Sequence, residues 1–148
     1  GSWVRSAYTG SSFNVLVANG AYPHAGSDHA YLGVGNSSSQ TLDSKAVTIP
    51  AGATAATLSF WLSVVTSETG STAYDKLLVQ LVNGSGAVVA TLATLSNLDK
   101  TASAGTYTLK SYNVIAYKGQ TVKVRFKATN GSSYATTFRV DDVSLKSR

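Results

Sequence analysis

The chain has 148 residues, with 12 Lys and Arg, 7 Asp and Glu, and no Cys. This length fits one domain with a single core, and the absence of Cys excludes disulfide frameworks, zinc ribbons and thiol nucleophiles. No apolar run approaches the roughly 20 residues that a membrane-spanning helix needs. Charged residues are only 13% of the chain, whereas 21 Ser and 17 Thr supply much of its polar surface. We therefore expect a secreted, extracellular protein.

Short apolar segments separated by Gly, Ser and Asn predict β-strands along the whole chain. The predicted strands cover residues 14–18, 29–34, 46–49, 58–64, 77–82, 87–92, 121–128 and 136–145. Residues 83–86 read Asn-Gly-Ser-Gly, which predicts a hairpin between the fifth and sixth of these strands. No segment of eleven or more residues carries a helical period. The pattern predicts an all-β, antiparallel β-sandwich as a single domain over residues 1–148.

Five strings of residues carry a resemblance to a known group of domains. They are 47–54 (Val-Thr-Ile-Pro-Ala-Gly-Ala-Thr), 58–62 (Leu-Ser-Phe-Trp-Leu), 95–99 (Leu-Ser-Asn-Leu-Asp), 116–122 (Ala-Tyr-Lys-Gly-Gln-Thr-Val) and 138–145 (Phe-Arg-Val-Asp-Asp-Val-Ser-Leu). Together they resemble the jelly-roll accessory domains appended to secreted bacterial peptidases and glycan-degrading enzymes. Those domains are similar in architecture to MAM domains and to many carbohydrate-binding modules. The resemblance implies a jelly-roll-like sandwich that is tethered to a catalytic domain in its parent protein.

The start of the chain departs from this pattern. Such domains commonly open with a strand carrying Phe-Glu ahead of a Gly-Ser-Trp-like segment, whereas this chain begins at Gly1-Ser2-Trp3. We expect a piece excised from a larger protein, with its first strand truncated. A metal site that used the missing Glu would be incomplete, or would be completed by another chain.

The sequence offers little catalytic chemistry. Ser27, Asp28 and His29 are consecutive, and neighbouring side chains of an extended segment diverge, so they do not form a triad. Glu68 is the only Glu; with Asp75 it could form an acid pair, but nothing in the sequence fixes their separation. We therefore expect no enzymatic activity. His24 and His29 flank a Gly-containing loop and are expected to be surface residues.

The closing strand predicts a carboxylate site. Phe138 and Val140 share one face, whereas Val143 and Leu145 fit the opposite register, so a β-bulge is expected at Asp141 and Asp142. One of the two carboxylates would then face the core, where it must be paired or bound to a metal.

Calcium suits this oxygen-rich, Cys-free setting. Asp142 and Asp141 are the leading candidate ligands, with Glu68, Asp75 and Asp28 as co-ligands. The resemblance also implies a structural calcium near the final Asp-Asp pair. The alternative is that Asp141 pairs with Arg139 or Arg125, while Asp142 accepts backbone or hydroxyl hydrogen bonds.

Aromatic residues beside Gly and Ser predict a sugar-binding surface, because rings stack on sugars and hydroxyl groups bond to them. Trp61 lies on the Ser59 and Ser63 face of its strand, opposite the apolar set, and Tyr22 and Tyr134 lie in loops. These three are the candidate ligand-binding residues. The alternative for Trp61 is a packing residue covered by a loop.

A stripe of cations lies on one predicted strand, at Lys123, Arg125 and Lys127. It could attract an acidic polysaccharide or a nucleic acid, but a solvated polar face explains it as well and is the interpretation we prefer. We expect no nucleic acid partner because the aromatic residues do not interleave with these cations.

These patterns predict a non-catalytic module of a secreted multidomain protein that binds a polysaccharide or cell-surface glycan and holds a structural calcium. The alternative is a structural or substrate-docking C-terminal domain of a secreted peptidase, without a sugar site. An exposed aromatic row on a concave sheet face would favour the first hypothesis. A face covered by loops, with only an edge patch open, would favour the second.

Overall fold

The computed structural model describes residues 3–9, 16–17 and 21–148, and the side chains from residue 21 onward. The described residues form eleven strands and two short 3₁₀ helices. In chain order they are β1 (Trp3–Thr9), β2 (Leu16–Val17), β3 (His29–Leu32), β4 (Ser39–Ser44), β5 (Val47–Thr48), β6 (Ala56–Thr66), β7 (Lys76–Val82), β8 (Val88–Ser96), a 3₁₀ helix (Asn97–Asp99), β9 (Thr108–Asn113), a second 3₁₀ helix (Ile115–Tyr117), β10 (Thr121–Thr129) and β11 (Thr136–Ser147).

The strands form two antiparallel sheets. The first has the order β1-β4-β10-β7-β8, with β5 paired to β10, and the second has the order β2-β3-β11-β6-β9. Neighbours in each sheet are mostly distant in sequence, as in the pairing of β11 with both β3 and β6. The predicted all-β sandwich is confirmed. No helix among the described residues is long and apolar enough to cross a membrane.

Alternating side chains of the two sheets build the core. In β6, Leu58, Phe60 and Leu62 are buried, and the Phe60 ring meets the ring of Phe126 from β10 edge to face at 5.0 Å between centroids. Burying each such side chain contributes about 1.5–3 kcal/mol to stability. Because β-strand side chains alternate between faces, this arrangement directs Trp61 to the outer face of the second sheet.

The sequence did not predict three strands, β1, β4 and β9. The segment of β4 reads Ser-Gln-Thr-Leu-Asp-Ser, which lacks an apolar face, yet Gln40 and Asp43 are buried. Gln40 Oε1 accepts a hydrogen bond from the Gly33 N–H at 2.7 Å, and Asp43 binds Arg125 through two bonds of 2.7 and 2.8 Å. Gln40 and Asp43 can therefore be buried although the sequence of β4 is polar, because other parts of the chain supply their hydrogen-bond partners.

The other predicted strands are present with small shifts of their ends. The predicted strand 14–18 is described only at Leu16–Val17, and residues 14, 15 and 18 lie outside the described part.

The predicted β-bulge in β11 is confirmed. Asp141 pairs with Trp61 and Ser144 with Ser59, so Asp142 and Val143 together oppose one residue of β6. Asp142 has a φ of 49°, in the left-handed region. The expectation that one carboxylate faces the core is wrong: Asp141 lies beside Trp61 on the outer face, and Asp142 is exposed at the bulge. The extra residue restores the apolar register without burying either carboxylate.

Candidate functional site

A cleft lies at one end of the sandwich, where the loop 67–75 between β6 and β7 meets the loop 130–135 between β10 and β11. Its volume is 340 Å³, and it is lined by Glu68, Thr69, Tyr74, Gly131, Ser132, Ser133 and Tyr134. We call it the loop-end cleft. Its two tyrosines are among the most exposed large apolar side chains described, Tyr74 at 55% and Tyr134 at 63%.

A buried carboxylate joins the two loops of the loop-end cleft. Asp75 is fully buried; its Oδ1 accepts a hydrogen bond from the Gly131 N–H at 2.7 Å, and its Oδ2 accepts one from the Thr136 hydroxyl at 2.6 Å. Hydrogen bonds to a charged acceptor are stronger than neutral ones. Asp75 therefore fixes the loop that carries Tyr134 against the loop that carries Tyr74.

Buried Asn97 fixes the backbone on the other side. Its Oδ1 accepts hydrogen bonds from the Tyr74 N–H at 2.9 Å and the Asp75 N–H at 3.1 Å, and its Nδ2 donates to the Thr72 carbonyl at 2.9 Å. These hydrogen bonds with Asn97 hold the loop backbone around Tyr74, while the Tyr74 ring is exposed to solvent.

Asn130 fixes the second loop in a similar way. Its Nδ2 donates to the carbonyls of Gly33, Gly35 and Thr136. This close approach needs glycine, because Gly33 has a φ of 81° and a Cβ there would overlap the Thr136 carbonyl oxygen. In the same loop Tyr134 adopts a φ of 54°, which is uncommon for a residue with a side chain.

A different arrangement surrounds Trp61, on the outer face of the second sheet. The His24 ring stacks on Trp61 with 4.1 Å between centroids and 16° between planes, and the Ser63 hydroxyl donates to the Ala104 carbonyl at 2.9 Å. The Tyr107 hydroxyl donates to the Tyr22 carbonyl at 2.7 Å. The loops 21–28 and 100–107 thus meet over this region, which we call the covered face.

The two carboxylates of the bulge bind the loop of the covered face. Asp141 Oδ2 accepts hydrogen bonds from the N–H groups of His24 at 2.8 Å and Ala25 at 3.2 Å, and His24 Nδ1 lies 2.6 Å from Asp142 Oδ2. Burial, together with the Asp141 carboxylate, raises the pKa of Tyr107 to about 12, so this phenol stays protonated and remains a donor.

The alternative pairing predicted for Asp141 is wrong. Arg125 pairs with Asp43 at 2.7 Å, and among the described ion pairs none joins Arg139 to Asp141. The pairing of Arg125 with Asp43 also neutralises the middle cation of the predicted stripe, which fits a polar sheet face.

The five predicted calcium ligands do not form one site. Asp141 and Asp142 are adjacent, whereas Asp75 is buried with both oxygens bonded and Glu68 lines the loop-end cleft. Asp28 lies on the loop 21–28 and accepts a hydrogen bond from a neighbouring serine at 3.0 Å. Within the described part of the chain, no three His, Asp or Glu side chains are placed to hold a metal ion. Calcium at Asp142 stays a prediction.

A third group of aromatic side chains surrounds Arg139 on β11. Its guanidinium carbon lies 4.8 Å from the ring centroid of Tyr31 on β3 and 5.6 Å from that of Tyr22. His29 is beside Tyr31, with an edge-to-face ring contact of 6.4 Å. The expectation that His29 is a surface loop residue is wrong, because it belongs to β3 and is only 6% exposed.

The structure separates the three aromatic residues predicted to bind ligand. Tyr134 lies in the loop-end cleft, Trp61 is half-buried under His24, and Tyr22 is exposed beside Arg139. Sequence reasoning did not select Tyr74, although it stands in a Gly/Ser-rich loop as Tyr134 does. It also gave no role to His24, whose contact with Trp61 joins residues 37 positions apart.

Comparisons with known proteins show the fold. No family model and no curated protein matches the chain. The carbohydrate-binding module TmCBM61, solved with β-1,4-galactotriose, matches at a TM-score of 0.62 and 16% identity, over 99% of this chain and 88% of that one. The K1 adhesin domain of Lys-gingipain from Porphyromonas gingivalis W83 matches at 0.58 and 16%, over 99% and 91%. CBM35 from Paenibacillus barcinonensis matches at 0.53 and 16%, over 100% of each chain. This chain has the jelly-roll fold that these modules and adhesin domains share.

Proposed function

We propose that this domain is a non-catalytic module that binds carbohydrate in the loop-end cleft. The observation that carries the proposal is the pair of exposed rings, Tyr74 and Tyr134. The backbone of the two loops that carry them is held by hydrogen bonds to the buried side chains of Asp75 and Asn97. An exposed ring offers an apolar surface for the face of a sugar. Because the loops are already ordered, less conformational entropy is lost when a ligand binds.

The polar groups of the loop-end cleft suit the same ligand. Glu68 supplies a carboxylate, and Ser132 and Ser133 supply hydroxyl groups, around a 340 Å³ space. Sugar hydroxyls both donate and accept hydrogen bonds, so a mixed set of acceptors and hydroxyls can orient them. The fold shared with TmCBM61 and CBM35 supports this proposal. The hydroxyl-rich, Cys-free composition supports an extracellular setting, in which the domain would hold a linked catalytic domain on its polysaccharide.

The described residues also support the absence of catalysis in this proposal. The Ser27 hydroxyl donates to Asp28 at 3.0 Å, so it is not directed to a histidine base. Asp75, the candidate partner of Glu68, binds a backbone N–H and a hydroxyl in the interior. We expect no hydrolysis of peptide or glycoside substrates. Turnover that survives repurification and disappears in Glu68→Gln would contradict this.

Retention on insoluble polysaccharides, guided by a glycan array, tests the binding proposal. Tyr74→Ala and Tyr134→Ala should each cost about 1–3 kcal/mol of binding free energy, by analogy with bases stacked on aromatic side chains. Both should leave the melting temperature nearly unchanged, because exposed rings bury little area. Val88→Ala is the matched control, since Val88 is 50% exposed on β8, an edge strand of the first sheet, and does not line the cleft. Failure of the wild type to bind any glycan, or full retention by the double tyrosine variant, would refute the proposal.

A second candidate function is docking of a protein partner. The observation that favours it is the covered face, because loops 21–28 and 100–107 meet over Trp61 and the described residues there form no row of exposed rings. The fold shared with a gingipain adhesin domain is compatible with this role. Binding of a protein substrate that Tyr134→Ala abolishes, in a wild type that retains no glycan, would establish this candidate in place of the first.

A further inference from the structure

Arg139 stands apart from the loop-end cleft, on the outer face of the second sheet. In the register of β11 it pairs with Tyr31 of β3 on one side and with Ser63 of β6 on the other. The rings of Tyr31 and Tyr22 lie 4.8 and 5.6 Å from its guanidinium carbon. Both distances are within the range of cation–π contacts, and the N–H donors of a guanidinium lie in its plane, apart from the faces that contact rings.

Among the described residues, no carboxylate is in ion-pair contact with Arg139. The ion pairs found there are Arg125 with Asp43 and, when His24 is protonated, His24 with Asp142. Arg139 Nε is buried and has no hydrogen-bond partner in the described part of the chain. Leaving such a donor unpaired is costly, and a ligand that accepts from this guanidinium would remove part of that cost.

A carboxylate on the same strand and the same face is already bonded elsewhere. Asp141, two residues further along β11, accepts at Oδ2 from the His24 and Ala25 N–H groups and at Oδ1 from the Asp142 N–H. Two of these three backbone donors belong to the loop of the covered face. The charge of Asp141 is therefore committed to backbone donors, and none of the described ion pairs joins it to Arg139.

A second buried polar atom without a partner lies in the same group. His29 is 6% exposed, and its Nδ1 has no hydrogen-bond partner among the residues that the structure describes. Burial and the positive charge of Arg139 lower the pKa of His29, so this histidine is neutral at pH 7. It therefore adds no positive charge to that of Arg139.

We propose that Arg139 binds the carboxylate of an acidic sugar, a uronate residue of a polysaccharide, with the ring of Tyr22 against the sugar face. The planar guanidinium matches a carboxylate through two parallel hydrogen bonds, which a neutral sugar does not offer. Tyr22 is 56% exposed, so its ring has area free for the pyranose. The net charge of +5 favours approach of a polyanion. This inference rests on the proposed function in that the ligand is a glycan, but it uses a separate site.

Matched polymers test the site. Polygalacturonate and polyglucuronate are each compared with their methyl esters, which keep the sugar ring and remove the charge. The wild type should bind at least one free acid about tenfold or more tightly than its ester, the factor expected of hydrogen bonds to a charged group. Arg139→Gln should abolish this preference, and Arg139→Lys should lose most of it because the two-pronged contact is gone. Lys127→Gln, which removes one positive charge from the other sheet, should keep it.

The outcomes separate this inference from the proposed function. No preference for the acid in the wild type, or a preference that Arg139→Gln retains, would overturn the Arg139 site. Binding of neutral glycans that depends on Tyr74 and Tyr134 would still support the proposed function in that case. If Arg139→Gln lowers the melting temperature, its loss of binding could come from unfolding. Tyr22→Ala then serves as the second test of the site, since its exposed ring can be removed without unfolding the sheet. Tyr22→Ala should weaken binding of the acid by about tenfold, and unchanged binding would contradict the proposal.

Discussion

The loop-end cleft and the covered face both place aromatic rings beside Ser-rich loops, but their rings have opposite surroundings. Tyr74 and Tyr134 have rings in solvent, while Asp75 and Asn97 bond the backbone beneath them. Trp61 has its ring against His24, under a loop that Asp141 and Asp142 bind. In both regions carboxylates position a loop. In the cleft the loops leave the rings of Tyr74 and Tyr134 in solvent, whereas the loops of the covered face meet over Trp61.

This difference separates a binding role from a stabilising one. A ring that already packs on another ring gains little when a ligand arrives, because the ligand must displace an existing contact. A ring that is held in place but exposed to solvent can make its full contact with a ligand, because no existing contact has to be broken. The proposed function therefore places recognition in the cleft, and we expect Trp61 to contribute to stability. Substitution of the exposed cleft tyrosines should therefore change glycan binding, whereas substitution of Trp61 should change the stability of the fold.

The largest effect on stability is expected at Asp75. Asp75→Ala removes the acceptor of the Gly131 N–H and of the Thr136 hydroxyl, both in the interior. Two lost hydrogen bonds to a charged group should cost on the order of 3–5 kcal/mol of unfolding free energy. Urea denaturation measures this loss, and glycan binding should weaken with it because both loops of the cleft are released.

Asp75→Asn is the matched variant, since it keeps the shape and one carbonyl acceptor. It should lose clearly less stability than Asp75→Ala. Equal unfolding free energies for Asp75→Ala and the wild type would show that the cleft is not fixed in this way.

The sequence predicts most of the fold because alternation is a local signal. Leu58, Phe60 and Leu62 define a buried face within five residues, and the switch of register at Asp141 predicts the bulge. It does not predict β4, because Gln40 and Asp43 are buried only through partners from other parts of the chain.

The sites are harder to predict because exposure is set by contacts between distant loops. Tyr134 and Trp61 are equally plausible platforms from their local sequences. The stacking of His24 on Trp61 and the bond from Asp75 to Gly131 join positions 37 and 56 residues apart. Neither contact leaves a local pattern, so the distinction between an open ring and a covered one appears only in three dimensions.

Trp61→Ala should have an intermediate effect and should act on stability alone. Its ring is half-buried and stacked on His24, so its loss should cost about 2 kcal/mol, below the 3–5 kcal/mol of a fully buried aromatic. Glycan retention through the loop-end cleft should be unchanged. Thermal melting and polysaccharide retention measured together test this. Loss of retention with an unchanged melting temperature would make Trp61 a binding residue and would reverse the assignment of the two regions.

The smallest effect is expected from calcium at Asp142. Extracellular calcium sites have dissociation constants of about 10⁻⁴–10⁻³ M, so calcium at about 2 mM would stabilise the fold by only about 1 kcal/mol. The gain is limited further because Asp142 Oδ2 already contacts His24 Nδ1 at 2.6 Å, and the ion has to replace that contact. Excess chelator should therefore lower the melting temperature slightly, and Asp142→Ala should abolish the response. Glu68→Gln, which changes a carboxylate in the loop-end cleft, should keep it. A melting curve that chelator leaves unchanged would exclude calcium, and the bulge would then serve only to bind the loop that covers Trp61.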